Sequence, residues 1–382
     1  MSVKAPILAG SVSAITGLAA SSGVVLAAMK SLGATNGQIT SVVFVSVLVY
    51  GILSIVMSLR YRMPVSIVWS TPGAALLVTA GSLNLGFNVA VGGFLVAGLL
   101  ITLTGLWPAL GKLVSSIPKP IASAMLAGVI FSFCISPFQT IATNPLVALP
   151  ALVVWLVLYR FATVWAAPAA IATMLVAIVF TVNLPTTTWD LVPHIEFTSP
   201  DFSIAGVISI AIPLYLVTMA SQNIPGITIM KSFGFDVPFR PSMIITGLAT
   251  VATATFGGFT YNLAAISAAI NANEHAHPKP EKRYLASVFG GIVYIAFAFA
   301  AVPFMAFVLN IPHALILAMA GVALFATIAS SITAATEDPD HRLPATITFL
   351  IGASGFAVWG VGAAFWALLG GVLVWQILAK RA

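Results

Sequence analysis

Charge is what this sequence has least of. Among 382 residues there are 15 Lys and Arg and 9 Asp and Glu, 6% of the chain. A soluble domain usually carries roughly a quarter. So few charges cannot cover the water-facing surface of a soluble fold of this length. Cysteine is nearly absent as well: Cys134 stands alone, which excludes an intrachain disulfide and argues against a thiolate metal cluster. No Walker-type phosphate loop is present, so ATP-driven chemistry is unsupported. The histidines do not make a zinc site. His275 and His277 beside Glu274 fall in a connection, as do His194 and His341, and His313 opens a helix. None of them has a helical partner plus a third ligand. No Ser/His/Asp set emerges either. The expectation is a protein that is not an enzyme and uses no metal and no cofactor.

What is abundant is apolar: 60% of residues are hydrophobic and the mean hydropathy is +1.10. Uncharged runs occupy 63–111, 120–159, 161–189, 202–230, 241–273, 284–336 and 343–379. Most exceed the roughly 20 residues that cross a bilayer as helix. The fold class expected is an all-α polytopic membrane protein. Cutting at Pro, Gly, Asn and charge gives fourteen segments: 7–29, 39–59, 64–80, 87–108, 119–136, 144–160, 163–182, 203–224, 241–256, 259–272, 284–308, 313–331, 343–359 and 361–379. The opening MSVKAPILAG has no small-residue cleavage site and reads as part of a retained first span.

With both termini placed in the cytoplasm, 14 of the 15 basic residues fall in inner connections and only Lys30 falls outside. Asp190, Glu196 and Asp201 lie in an outer connection, 183–202, that has no Lys or Arg. This is the positive-inside pattern, and it explains a pI of 9.6 without nucleic acid as a partner.

Three internal matches recur in chain order: Ala27–Gly33 with Thr228–Gly234, Trp69–Ala75 with Thr260–Ala265, and Ile117-Pro118 with Ile311-Pro312. Seven crossings separate equivalents, so the halves are expected to be inverted: 1–182 and 183–382. Inverted repeats point to alternating access in a secondary transporter. The second match falls on the weakest segments, the third and tenth. There a short extended stretch leads into a half helix, at Pro72-Gly73 and again at Phe256–Tyr261, with helix expected from Asn262. Irregular backbone at membrane depth needs protein or water around it, and helix N-termini there would offer N–H groups to an anion.

The stretch Phe256-Gly257-Gly258-Phe259-Thr260-Tyr261-Asn262-Leu263-Ala264-Ala265-Ile266-Ser267 resembles the signature of the benzoate/proton symporter family. Ala276-His277-Pro278 and Met219-Ala220-Ser221-Gln222-Asn223-Ile224-Pro225-Gly226 fit the same family. The resemblance covers essentially the whole chain and extends distantly to the nucleobase/proton symporters. It implies two inverted seven-segment repeats with short strands in the third and tenth segments. It also implies a core at approximately 1–110 and 203–308 and a gate at approximately 111–182 and 309–382. In the nucleobase symporters the eighth and tenth segments supply carboxylates; the matching positions here are Gln222 and Asn262. Neutral amides suit a carboxylate substrate, which a fixed anion would repel.

The expected partners are a small aromatic carboxylate such as benzoate, protons and the lipid of a bacterial inner membrane; homo-oligomerisation is left open. A nucleobase or another small anion is the runner-up substrate, and an uncoupled channel is a weaker alternative. The candidate substrate residues are Ser21 and Ser22, Ser70, Thr71, Pro72 and Gly73, Gln222 and Asn223, and Thr260, Tyr261 and Asn262. Gln222 is the leading amide donor. Asn262 is a second donor or a helix cap. Ser70, Thr71 and Thr260 are hydroxyl donors or bond back to their own chain, and Tyr261 is an aromatic wall. None of the nine acids lies well inside a span, so a proton would have to ride on the substrate carboxylate or on an acid at the membrane edge.

Overall fold

The computed structural model describes residues 4–107, 109–111, 116–182, 195–308, 310–359 and 361–379. Its helices in chain order are α1 Lys4–Ser31, α2 Asn36–Tyr61, α3 Thr71–Gly81, α4 Phe87–Leu106, α5 Lys119–Thr143, α6 Pro145–Phe161 and α7 Thr163–Thr181. The second half contributes α8 Ile204–Ser232, α9 Phe239–Thr253, α10 Ala265–Ala272, α11 Tyr284–Val308, α12 His313–Thr336, α13 Arg342–Ser354 and α14 Ala363–Ala379. Two three-residue strands, β1 Ile67–Trp69 and β2 Tyr261–Leu263, precede α3 and α10. Among the described residues, eight helices are long and apolar enough to cross a membrane: α1, α2, α4, α5, α7, α8, α11 and α12. Large apolar side chains stand outward, Phe180 at 82% exposure and Phe161 at 81%, as lipid contact requires.

Local chemistry accounts for the ends and breaks of these helices. Thr35 and Gln38 form a reciprocal capping box at the start of α2. Ser70 caps α3, and Pro72 sits in its first turn, where the missing N–H costs nothing. α5 runs through Pro137 to Thr143, past the end expected at 136. α8 contains two π turns, Val207–Ala211 and Met219–Asn223, each followed within two residues by a proline, Pro213 and Pro225. The wider turn accommodates a ring that would clash with a regular α-helical carbonyl.

The strands pair antiparallel, Ile67 with Leu263, Val68 with Asn262 and Trp69 with Tyr261. Their outer edges, buried among helices, are satisfied by side chains. Ser54 Oγ accepts from Ile67 N at 2.9 Å, Thr250 Oγ1 from Tyr261 N at 3.0 Å and Asn223 Oδ1 from Leu263 N at 2.9 Å. A two-stranded sheet at this depth persists because neighbouring helices replace water at both edges.

This arrangement corrects two expectations. Asn262 and Leu263 are strand rather than helix, and α10 begins only at Ala265. The strand–helix pairs are also spaced differently from the match of Trp69–Ala75 with Thr260–Ala265, which sets Ala74-Ala75 against Ala264-Ala265: Ile67 to Tyr261, and Thr71 to Ala265, are both 194 residues apart. The starts of α5 and α12, Lys119 and His313, show the same spacing.

Packing runs crosswise between the halves: α2 lies on α11, α4 on α9 and α5 on α12. Glycines let the backbones touch. A methyl on Gly51 of α2 would sit 2.6 Å from the Gly291 carbonyl oxygen of α11, and one on Gly128 of α5 would sit 2.5 Å from the Phe349 carbonyl oxygen of α13. Where α1 meets α12 the fit is looser. A methyl on Gly23 would lie 3.5 Å from the Ala320 nitrogen, an ordinary contact. The described part of the connection at 183–202 crosses α2, α4 and the turn after α9 through Gln38–Thr198, Asp201–Asn88 and Thr198–Thr255 hydrogen bonds. Asp190 and His194 lie outside the described residues.

Candidate substrate site

Side chains alternate across the strand pair, which gives its two faces different jobs. Trp69 and Tyr261 share one face and build an aromatic layer. Tyr50 stands edge-on to both, with centroids 5.2 and 5.9 Å away, and to Tyr294 at 5.6 Å. Trp69 donates its indole N–H to Ser21 Oγ at 2.7 Å, and the Tyr261 hydroxyl lies 3.0 Å from Thr253 Oγ1. Tyr261 is therefore placed in the scaffold behind the strands, fully buried. The opposite face carries Val68, only half-buried, and Asn262.

The half helices do not meet at one point. Ser70 N bonds Thr260 O at one end of the strand pair, and Ala264 N bonds Ser66 O at the other. Four strand positions separate the two helix starts, about 13 Å at 3.3 Å per residue. One carboxyl group cannot touch both.

The two ends also differ chemically. At α3, Ser70 Oγ takes Gly73 N at 3.0 Å, Ser70 O takes Ala74 N at 2.7 Å, and Pro72 has no N–H. Only the Thr71 N–H is left there. At α10 the cap position is Ala264, which supplies no side-chain hydrogen bond, so the first-turn N–H groups have no acceptor from the cap or from within the helix. Asn262 does not cap α10. Its Nδ2 donates to the Leu263 carbonyl at 3.1 Å, and its fully buried Oδ1 has no partner. Turning the amide over would set Oδ1 against that carbonyl, so the environment fixes its orientation.

The remaining candidates divide between satisfied and available groups. Ser21 and Ser22 bond back to Gly17 O and Leu18 O, and Thr260 Oγ1 accepts from Thr218. Asn223 is buried with both amide ends occupied, Oδ1 on Leu263 N and Nδ2 on Met219 Sδ. Gln222, beside it in the π turn, is half-buried, with no hydrogen-bond partner among the described residues. Asn223 thus ties the π turn to the strand entering α10, and Gln222 is the adjacent open amide. A cavity of about 140 Å³ lined by Ser31, Gly33, Gly81, Asn84 and Gly86 lies at the other end of α3, away from these groups.

Sequence comparison decides the family. The benzoate membrane transport protein (BenE) family profile matches residues 2–377. The chain belongs to this family. It is 36% identical over 373 residues to the inner membrane protein YdcO of Escherichia coli (strain K12), covering 97% of this chain and 95% of that protein. It is 33% identical over 333 residues to the benzoate membrane transport protein of Acinetobacter baylyi, covering 86% and 84%. Two solved structures share the fold. One is the transmembrane domain of a cyanobacterial bicarbonate transporter, BicA (TM-score 0.61, 16% identity, 98% of this chain and 97% of that one). The other is the murine Solute Carrier 26 family member A9 anion transporter in the inward-facing state (TM-score 0.60, 15% identity, 98% and 68%).

As a BenE-family member the chain is a multi-pass membrane transport protein and not an enzyme. Among the described residues, no group of His, Cys, Asp and Glu is arranged to hold a metal. The described acids all lie outside the buried interior, in connections or at helix ends. Two contributors were missed from sequence, and a third was misplaced. Ser54 and Thr250 complete the strand edges, but hydroxyls in apolar helices carry no distinguishing pattern. The N–H groups of the tenth segment were expected, but three residues early, at Asn262 instead of at Ala265.

Proposed function

We propose that this BenE-family protein carries benzoate or a related aromatic carboxylate across the bacterial inner membrane together with a proton. The observation that carries this reading is the start of α10, which has no capping side chain, preceded by a strand tied through Asn223 to the π turn that carries the open amide of Gln222, with no carboxylate among the described buried residues. A carboxyl group is what such donors recognise. The name of the A. baylyi relative supplies the substrate class. The ring lies in the apolar space between core and gate, with the carboxyl at α10.

The architecture proposed is fourteen segments in two inverted sevens, 1–182 and 183–382, with both termini cytoplasmic. The common 194-residue spacing of the strands, half helices and α5/α12 starts supports it. So do the exchanged contacts: α2 on α11 mirrors α9 on α4, and Ser54 serves Ile67 as Thr250 serves Tyr261. The core then comprises α1–α4 and α8–α11, and the gate α5–α7 and α12–α14. Tight glycine crossings within each body and the looser Gly23 contact between them suit bodies that slide.

Thermal unfolding of purified protein against a panel of aromatic acids, nucleobases and inorganic anions tests the substrate class. Benzoate-like acids are expected to raise the transition temperature in a concentration-dependent way. Stabilisation by nucleobases or inorganic anions alone would overturn the reading.

A further inference from the structure

The polar groups at the start of α10 match a carboxylic acid better than a carboxylate. A carboxylate accepts hydrogen bonds and donates none, whereas a protonated carboxyl does both. The first turn of α10 offers donors, and Gln222 offers an amide. Asn262 offers the opposite. One N–H of its Nδ2 donates to Leu263 O, whereas its acceptor, Oδ1, is buried at 0% exposure without a partner and calls for a donor. Asn262 lies on the strand that leads into α10, three residues before its first residue, and Nδ2 is tied to the carbonyl of the residue preceding the cap. A carboxylate oxygen placed against it would meet another lone pair, at the cost of an unsatisfied buried acceptor.

We infer that the substrate binds as the neutral acid, its carbonyl oxygen taking the α10 N–H groups and its O–H donating to Asn262 Oδ1, so that the transported proton is the substrate's own. This rests on the aromatic-carboxylate reading. The balance is simple: a carboxylate and a proton combine on one side, the O–H bond travels intact, and it breaks again on release to the other side. No protein carboxyl is needed, and the described residues hold none in the buried interior; the buried histidine, His277, is tied to the Lys279 backbone in the connection after α10. The neutral complex also avoids burying an unpaired anion while the site is closed.

The consequence is a pH law set by the ligand. For an acid titrating near about 4.3, about one molecule in 500 is protonated at pH 7. The apparent Kd for total benzoate is then expected to rise about tenfold per pH unit above the ligand's pKa. Benzamide has a carbonyl acceptor and an N–H donor but no such titration, so it is expected to compete for the site with a pH-independent Kd. The test is calorimetric titration of wild-type protein with both ligands between pH 6 and 8, in buffers of different ionisation enthalpy. The expected result is uptake of about one proton per benzoate and none per benzamide.

A pH-independent benzoate Kd without proton uptake would overturn the inference. So would a matching pH dependence for benzamide, which would place the proton on the protein. Asn262→Ala identifies the acceptor: benzoate and benzamide affinities are both expected to fall, by about 2- to 13-fold for a neutral hydrogen bond. Retention of both affinities in the folded variant would remove Asn262 from the site. Should no aromatic acid bind at any pH, the functional reading itself fails, a result distinct from binding with the wrong pH law.

Discussion

Gln222 and Asn223 are neighbours in one π turn with opposite fates, and paired substitutions separate them. Asn223 satisfies the buried Leu263 N–H, so Asn223→Ala leaves that donor stranded at a cost of about 1–3 kcal/mol. Thermal unfolding in detergent is expected to show the loss without any ligand. Gln222→Ala breaks no bond among the described residues and is expected to unfold like wild type while binding benzoate more weakly. The size of that loss is informative. Weakening by about tenfold or less fits a neutral partner, and weakening towards 150-fold fits an anion. A destabilised Gln222→Ala with a normal Asn223→Ala would reverse these assignments.

At the scale of elements, the broken third segment was legible because Ser70 and Pro72 carry familiar helix-start chemistry. The tenth was harder. Asparagine is a poor strand former, and the partner that makes Asn262 extended, Val68, lies 194 residues away in sequence. The start of α10 was misplaced for the same reason, since Ala264 gives no capping signal. The candidate list gathered residues from the strands, the half helices and the π turn but could not tell used groups from free ones. Ser21, Ser22 and Asn223 proved occupied, and only geometry shows that the free atom of Asn262 is its oxygen. Glycine packing yields a prediction at this scale. Gly51→Ala and Gly128→Ala force tightly crossed helices apart and are expected to destabilise by about 1–3 kcal/mol. Gly23→Ala, at the looser α1–α12 contact, is expected to fold at least as stably as wild type. Equal loss at all three positions would mean that the α1–α12 contact is as fixed as the others.

For the whole molecule, composition and hydropathy were enough to establish a multi-pass membrane protein, and eight helices among the described residues are long and apolar enough to cross a membrane. The charge sorting makes orientation testable. Single cysteines introduced into 195–202 are expected to react with an impermeant thiol reagent from the periplasmic side, and those in 273–283 only from the cytoplasmic side. Labelling of both from one face would refute the inverted arrangement. The central claim, a carrier that turns over an aromatic carboxylate, is met most directly by counterflow. Proteoliposomes loaded with unlabelled benzoate and diluted into trace labelled benzoate at about pH 8, where passive passage of the neutral acid is small, are expected to show a transient, saturable overshoot of internal label. Protein-free liposomes are expected to show none. Label that only equilibrates, at a rate proportional to concentration and without an overshoot, would contradict the account.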